Sequence, residues 1–94
     1  MRNAAEGTSM NLARPVLDAV DAIVDVRLLP PGTCRMHIEN TFEALPVGGA
    51  VELVVPHDPA PLRGRFAVER PGQSVWTYLE QGPALWRVRV ERTA

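Results

Sequence analysis

The segment from Gly48 to Pro59, which reads GGAVELVVPHDP, decides the fold because it joins the end of one helix to a strand and a second helix. The β-branched run from Ala50 to Val55 predicts the strand. Asp58 before Pro59 is typical of a helix start, since the carboxylate accepts orphan backbone N–H groups and proline suits the first helical turn. A strand placed between two helices predicts an alternating α/β chain.

The chain before this segment supplies a first strand and the first helix. Residues Ile23 to Arg27 alternate β-branched and charged side chains and run towards Pro30-Pro31-Gly32, which predicts a half-buried strand that ends in a turn. Thr33 is in position to cap the helix that follows. That helix has one apolar stripe, which comprises Cys34, Ile38, Phe42 and Leu45.

The chain after this segment completes the sheet. Leu62 and Phe66 give the second helix its buried edge. Two strand-like segments follow, Ser74 to Leu79 and Leu85 to Glu91, and Gly82-Pro83 separates them. Two strands joined by a short turn predict an antiparallel hairpin.

These elements predict an α/β fold, specifically an α+β two-layer sandwich of order β-α-β-α-β-β, with a four-stranded mixed sheet and two helices on one face. Because the strands alternate, the other face is expected to be open and to serve a protein partner or self-association. Its predicted charged residues are Asp25, Arg27, Glu52, Arg87, Arg89 and Glu91. Within this set the interaction face is assigned to Arg27, Arg87 and Arg89.

Composition limits the size of the protein and its chemistry. The chain has 94 residues, 46% of them hydrophobic and 22% charged, which predicts one globular domain at residues 23–92. Residues 1–22 are predicted to be a tail, in which Leu12, Val16 and Val20 indicate a short helix. All ten basic residues are Arg, so lysine Schiff-base chemistry is excluded.

Charge and cysteine content limit the classes of partner and of cysteine site that the sequence allows. A net charge of −1 makes a nucleic-acid partner unlikely, because phosphate binding needs a basic excess. A single cysteine excludes an internal disulfide, a CxxC pair and a multi-thiolate zinc site. No apolar run reaches the length of a membrane span, so we expect a cytoplasmic domain that does not contact a membrane.

Two sets of motifs resemble known families. The order of elements and the segment from Val24 to Pro31 resemble the TusA/SirA group of small sulfur-carrier proteins. The C-terminal half resembles the uncharacterised family with domain-of-unknown-function number two-two-four-nine, which is similar in fold to the carriers. The motifs that carry this second resemblance are His57-Asp58-Pro59, Glu69-Arg70-Pro71-Gly72-Gln73, Trp76, Tyr78-Leu79-Glu80, Gly82-Pro83 and Trp86-Arg87-Val88-Arg89-Val90.

The resemblance implies strand order 1-2-4-3 and a TusA/SirA-like scaffold without its usual chemistry. In the carriers the sulfur-acceptor cysteine sits at the start of the first helix, and the matching position here is Pro31, which has no thiol. The uncharacterised family commonly has a histidine in this helix where Arg35 stands here, and His37 follows two residues later. Relatives of the family are also associated with hemerythrin-like and cupin-type metal domains, which implies metal-domain proteins as partners.

One corner of the predicted fold gathers the remaining candidates. The N-terminus of the first helix and the C-terminal end of the second strand are close in a β-α-β-α fold, so this corner is expected to hold Pro31, Cys34, Arg35, His37, His57 and Asp58. We predict no cofactor and no metal here, because Cys34 belongs to the apolar stripe and Asp58 is explained as a helix cap. The alternative is a transition metal held by Cys34, His37 and His57.

Two functional classes remain open from the sequence. The first is a non-enzymatic interaction or regulatory module that lacks the acceptor cysteine. The second is a sulfur-, metal- or redox-handling protein that uses Cys34 with His37 and His57. The reactivity of the Cys34 thiol distinguishes them.

Overall fold

A computed structural model describes residues 19–94, and within this range the chain forms four strands and two α-helices. In chain order they are β1 (Ala22–Asp25), α1 (Cys34–Ala44), β2 (Ala50–Val55), α2 (Ala60–Glu69), β3 (Ser74–Gln81) and β4 (Trp86–Arg92). A short 3-10 helix, Val26–Leu28, joins β1 to the turn before α1. The tail at residues 1–18, with most of the helix predicted there, lies outside the described residues.

The sheet has the order β1-β2-β4-β3, as the resemblance implied. Strand β1 pairs with β2 in parallel, and β4 pairs antiparallel with both β2 and β3. A parallel pair needs a crossover connection, which α1 provides, whereas β3 and β4 are joined by a short hairpin. The sheet is therefore mixed, and the predicted α/β architecture is confirmed.

Both helices pack on one face of the sheet. Register pairs Val51 with Val90 and Leu53 with Val88, so the alternating apolar side chains of the two central strands meet on the same side. Phe42 of α1 and Phe66 of α2 are 1% exposed and lie against this layer. Their rings make an edge-to-face contact with centroids 5.1 Å apart, a geometry worth about 0.5–1.5 kcal/mol beyond the buried area. This contact joins the two helices above the sheet.

The first strand is shorter than predicted. Val26 and Arg27 belong to the 3-10 helix and not to β1. The Asp25 side chain explains the break, because it accepts hydrogen bonds from the backbone N–H of Arg27 at 3.0 Å and from the Arg27 guanidinium. A side chain that caps the next turn competes with continuation of the strand.

Both predicted helix caps need correction. Thr33 precedes α1, but its side chain makes no capping hydrogen bond and its hydroxyl donates to the carbonyl of Pro30 at 2.7 Å. Pro59 occupies the cap position of α2 instead of Asp58. Asp58 Oδ1 still accepts the Ala60 N–H at 3.0 Å. The carboxylate therefore caps the helix as predicted, but from the residue before the cap position.

The face of the sheet without helices is less exposed to solvent than predicted. No helix or strand among residues 19–94 covers it, yet Glu52 and Val54 of the central strand β2 are both 8% exposed. Arg87 donates to Glu52 Oε2 from Nε at 2.8 Å, and Arg89 donates to Glu91 Oε1 at 3.1 Å. Arg87 and Arg89 of β4 therefore pair within this face.

Candidate functional site

An open groove of about 480 Å³ lies at the corner that the sequence indicated. Four segments meet there: the 3-10 helix, the first turns of α1, the end of β2 with the loop after it, and the first two turns of α2. The lining residues are Val26, Arg27, Cys34, Arg35, Ile38, Val55, Pro56, His57, Pro59, Pro61, Leu62 and Arg65. We call this set the corner groove.

The corner groove has apolar walls because the ends of the sheet and both helices supply them. Ile38 and Val55 are core residues that also line the groove. Leu62 is partly buried against the same core. Prolines at 56, 59 and 61 add apolar surface without backbone N–H groups. The volume and the mostly apolar lining with a few polar groups match those of protein sites that bind ligands.

Cys34 is the first residue of α1 and stands half-buried in the groove wall. Its Sγ lies 3.8 Å from the carbonyl oxygen of Val26, which the S–H can approach as a weak donor. His57 lines the groove from the loop after β2, and its Nδ1 lies 3.4 Å from the backbone oxygen of Asp58. The structure thus brings Cys34 and His57 into one site, as predicted.

Three predicted corner residues lie outside the lining. Pro31 and His37 are exposed and do not line the groove. Asp58 adjoins it, but its Oδ1 is occupied by the Ala60 N–H and the Tyr78 hydroxyl, each at 3.0 Å. Within residues 19–94 no group of three or more His, Cys, Asp or Glu side chains could hold a metal ion. Cys34, His37 and His57 therefore do not form a metal site in this structure.

The sequence reasoning missed two of the three arginines of the groove. The sequence pattern assigns Arg27 to the open sheet face with Arg87 and Arg89, but the 3-10 helix places it in the groove lining, which also contains Cys34. Arg65 was not considered. It lies one helical turn after Leu62 at i, i+3, a spacing that puts both side chains on the same side of α2 and could have revealed it.

Each groove arginine is paired with a carboxylate two or four residues away in the sequence. Arg27 binds Asp25 at 2.7 Å, and this hydrogen bond holds the pKa of Asp25 below its usual value. Arg65 binds Glu69 at 2.8 Å, while Arg35 lies 3.6 Å from Glu39, beyond hydrogen-bond distance. These pairs orient the guanidinium groups of Arg27, Arg35 and Arg65, which we call the rim arginines.

Tyr78 supports the start of α2 from the sheet. Burial, followed by the hydrogen bond that its hydroxyl donates to Asp58, raises the pKa of the Tyr78 phenol above 10.0. Arg63 opposes this shift from a position over the ring, 5.8 Å from the centroid. The hydrogen bond from Tyr78 to Asp58 ties β3 to the loop after β2, which carries His57 into the groove.

The fold and the site define a two-layer α/β domain with an arginine-rimmed apolar groove at the N-terminal ends of both helices. None of the helices within residues 19–94 is a candidate for a membrane span. The family model described as Uncharacterized conserved protein (DUF2249) matches residues 23–92, and the chain belongs to this family. Searches of the curated proteins and of the solved structures find no match.

Proposed function

We propose that this domain is a non-enzymatic interaction module that binds a partner protein at the corner groove. The observation that carries the proposal is the groove itself, about 480 Å³ of mostly apolar surface that the fold forms from four segments and leaves open. Apolar concave surface of this kind is stabilised by an occupant that removes it from water.

The corner groove suits this role better than the open sheet face does. On the sheet face the central strand is buried, and Arg87 and Arg89 pair with Glu52 and Glu91. In the groove, Ile38, Val55 and Leu62 present apolar surface that the fold leaves open. A partner that fills the groove removes this surface from water.

A pair of photo-crosslinking probes tests the proposal in extracts of the native host. In a Cys34→Ser background, His57→Cys carries the probe at an exposed residue of the groove lining, and Val47→Cys carries it beyond the opposite end of α1, at a residue that is 65% exposed. We expect a specific adduct from position 57 and none from position 47.

A second comparison ties that adduct to the groove. Pro61 is exposed and lines the groove, so Pro61→Phe adds bulk there with little effect on the core. We expect it to abolish the adduct, whereas Val47→Phe, beyond the opposite end of α1, preserves it. Equal adducts from both probe positions, or an adduct that survives Pro61→Phe, would exclude the corner groove as the binding site.

A second candidate function uses Cys34 for sulfur or redox handling, and it is favoured by the position of this thiol in the wall of a groove that three arginines also line. Positive side chains beside a thiol are common where cysteines react as thiolates. The chain has no other cysteine to resolve an oxidised intermediate. A persulfide or mixed disulfide on Cys34, detected by mass spectrometry of protein from native anaerobic cells, would establish this second function.

A further inference from the structure

The charged side chains that line the corner groove are all arginines, although the protein is slightly acidic. The whole chain has eleven Asp and Glu residues and a net charge of −1. In the described part of the chain, the groove lining contains three arginines and a histidine, and none of the carboxylates. The first turns of α1 and α2, which end at the groove, also lack acidic residues within the described range. The lining therefore favours a negatively charged group over a neutral one.

The groove arginines retain the capacity to bind a second carboxylate. A guanidinium has five N–H donors in a planar fork, and one carboxylate engages only part of them. The side chains of Arg27, Arg35 and Arg65 are 52%, 55% and 46% exposed despite their pairs. Arg35 is the least engaged, since its ion pair with Glu39 spans 3.6 Å.

The floor of the groove sets a second requirement on the occupant. Ile38, Val55 and Leu62 offer an apolar bed that excludes an isolated charge and favours a large apolar side chain. The groove, of about 480 Å³, has room for a large side chain and its neighbours, and a peptide supplies an apolar side chain and a carboxylate together. Apolar floor and arginine rim together describe a peptide with both kinds of residue.

We propose that the partner inserts an acidic peptide segment, in which one large apolar side chain fills the floor of the corner groove and a neighbouring Asp or Glu carboxylate pairs with the rim arginines. This inference rests on the proposed function and specifies the chemistry of the partner. Opposite charges at the rim set the register of the peptide and its rate of association, while the buried apolar side chain supplies most of the affinity.

Selection from a random dodecapeptide library displayed on phage, with the full chain as bait, tests this directly. We expect enriched sequences in which Asp or Glu adjoins Leu, Ile, Met or Phe, and weaker binding at higher salt because the charges are screened. For a selected peptide, Arg35→Gln and Arg65→Gln should each weaken binding about tenfold. Arg63→Gln is the matched control, since Arg63 lies on the same helix outside the lining.

The outcomes separate this inference from the proposed function. Enriched peptides that lose binding in Pro61→Phe but show no acidic preference, or are indifferent to both arginine variants, would overturn the acidic segment and leave the interaction site in place. Peptides unaffected by Pro61→Phe, or no enrichment at all from a bait shown to be folded by thermal unfolding, would overturn both. Loss of binding in Arg63→Gln equal to that in Arg65→Gln would also count against a specific rim contact.

Discussion

At the residue scale, arginine has different roles at different places in this protein. Arg92 donates to the carbonyls of Glu43 and Leu45 at 2.9 and 2.8 Å and so satisfies the C-terminal end of α1. Arg87 pairs with a buried glutamate, whereas Arg35 stands at the rim of the groove with a weak partner. A chain that has only arginine as its cation uses it as cap, internal counter-ion and binding group.

Cys34 provides the prediction that distinguishes the two candidate functions. Its Sγ approaches a carbonyl oxygen from a half-buried position, a contact that needs the S–H proton. We expect the thiol to react with iodoacetamide at neutral pH no faster than free cysteine, and Cys34→Ser to fold and bind partners as wild type does. Strongly accelerated alkylation would favour the sulfur- or redox-handling function.

Asp58 provides a prediction about stability. Its carboxylate accepts the first backbone N–H of α2, so Asp58→Ala should lower the free energy of unfolding by about 0.5–2 kcal/mol. Asp58→Asn keeps an acceptor oxygen and should lose less. Thermal unfolding of the three proteins measures this order. If Asp58→Ala has the thermal stability of the wild type but fails to bind the selected peptides, Asp58 is a binding residue.

Tyr78 provides a prediction about pH, and as the chain's single tyrosine it can be titrated alone by phenolate absorbance. Burial and the hydrogen bond to Asp58 raise its pKa, so the midpoint should lie above 10.0 and fall in Asp58→Ala. The unfolded chain loses this proton first. The stabilising contribution is therefore complete below pH 10.0 and is lost as pH rises through the folded pKa. Tyr78→Phe has no phenol to ionise, so its stability should fall less than that of the wild type as the pH rises above 10.0.

At the scale of elements, the β3–β4 hairpin depends on one glycine. Gly82 has φ +64°, and a Cβ at this position would lie 2.7 Å from the Trp86 ring. Trp86 packs on the core and pairs with Val55 in the register of β2 and β4. The glycine therefore permits both the backbone conformation and the close approach of the indole.

Two alanine substitutions separate these effects. Gly72 has φ +71° and open space at its Cβ position, so Gly72→Ala should cost only the conformational penalty, about 1 kcal/mol. Gly82→Ala adds the clash with Trp86 and should cost about 2–4 kcal/mol. Denaturant unfolding measures both. Equal losses would show that the indole moves aside at no cost.

At the scale of the whole molecule, the sheet is held by its apolar helix-covered face and by an ion pair on the other. Glu52 is 8% exposed and Arg87 donates to it from the neighbouring strand. A charge reversal at Arg87 therefore affects the stability of the sheet as well as its surface charge. Arg87→Glu would place a second carboxylate beside a buried one and should unfold the domain more easily.

Arg87→Ala measures the strength of this contact. Loss of the partner leaves the Glu52 carboxylate buried without its guanidinium, so the free energy of unfolding should fall by about 1–3 kcal/mol. In the double variant with Glu52→Gln the loss should be smaller, because no charge is left unpaired. A double-mutant cycle with no coupling would mean that water replaces the guanidinium.

Local sequence patterns correctly gave the elements because they depend on neighbours along the chain. The β-branched run in Ala50 to Val55 and the spacing of Ile38 and Phe42 indicate a strand and a helix face independently of the rest of the fold. The same patterns failed where a side chain competes locally, as Asp25 does when it ends β1.

What the sequence alone determined is the order of elements, the side of each that is apolar, and the corner at which Cys34 and His57 meet. The tertiary structure alone decided that Arg27 and Arg65 join them at one groove, that Glu52 is buried, and that Pro31 and His37 stay outside the lining. The physical reason is that the groove joins four segments distant in sequence, so its charge and shape follow from packing and register, which no local pattern encodes.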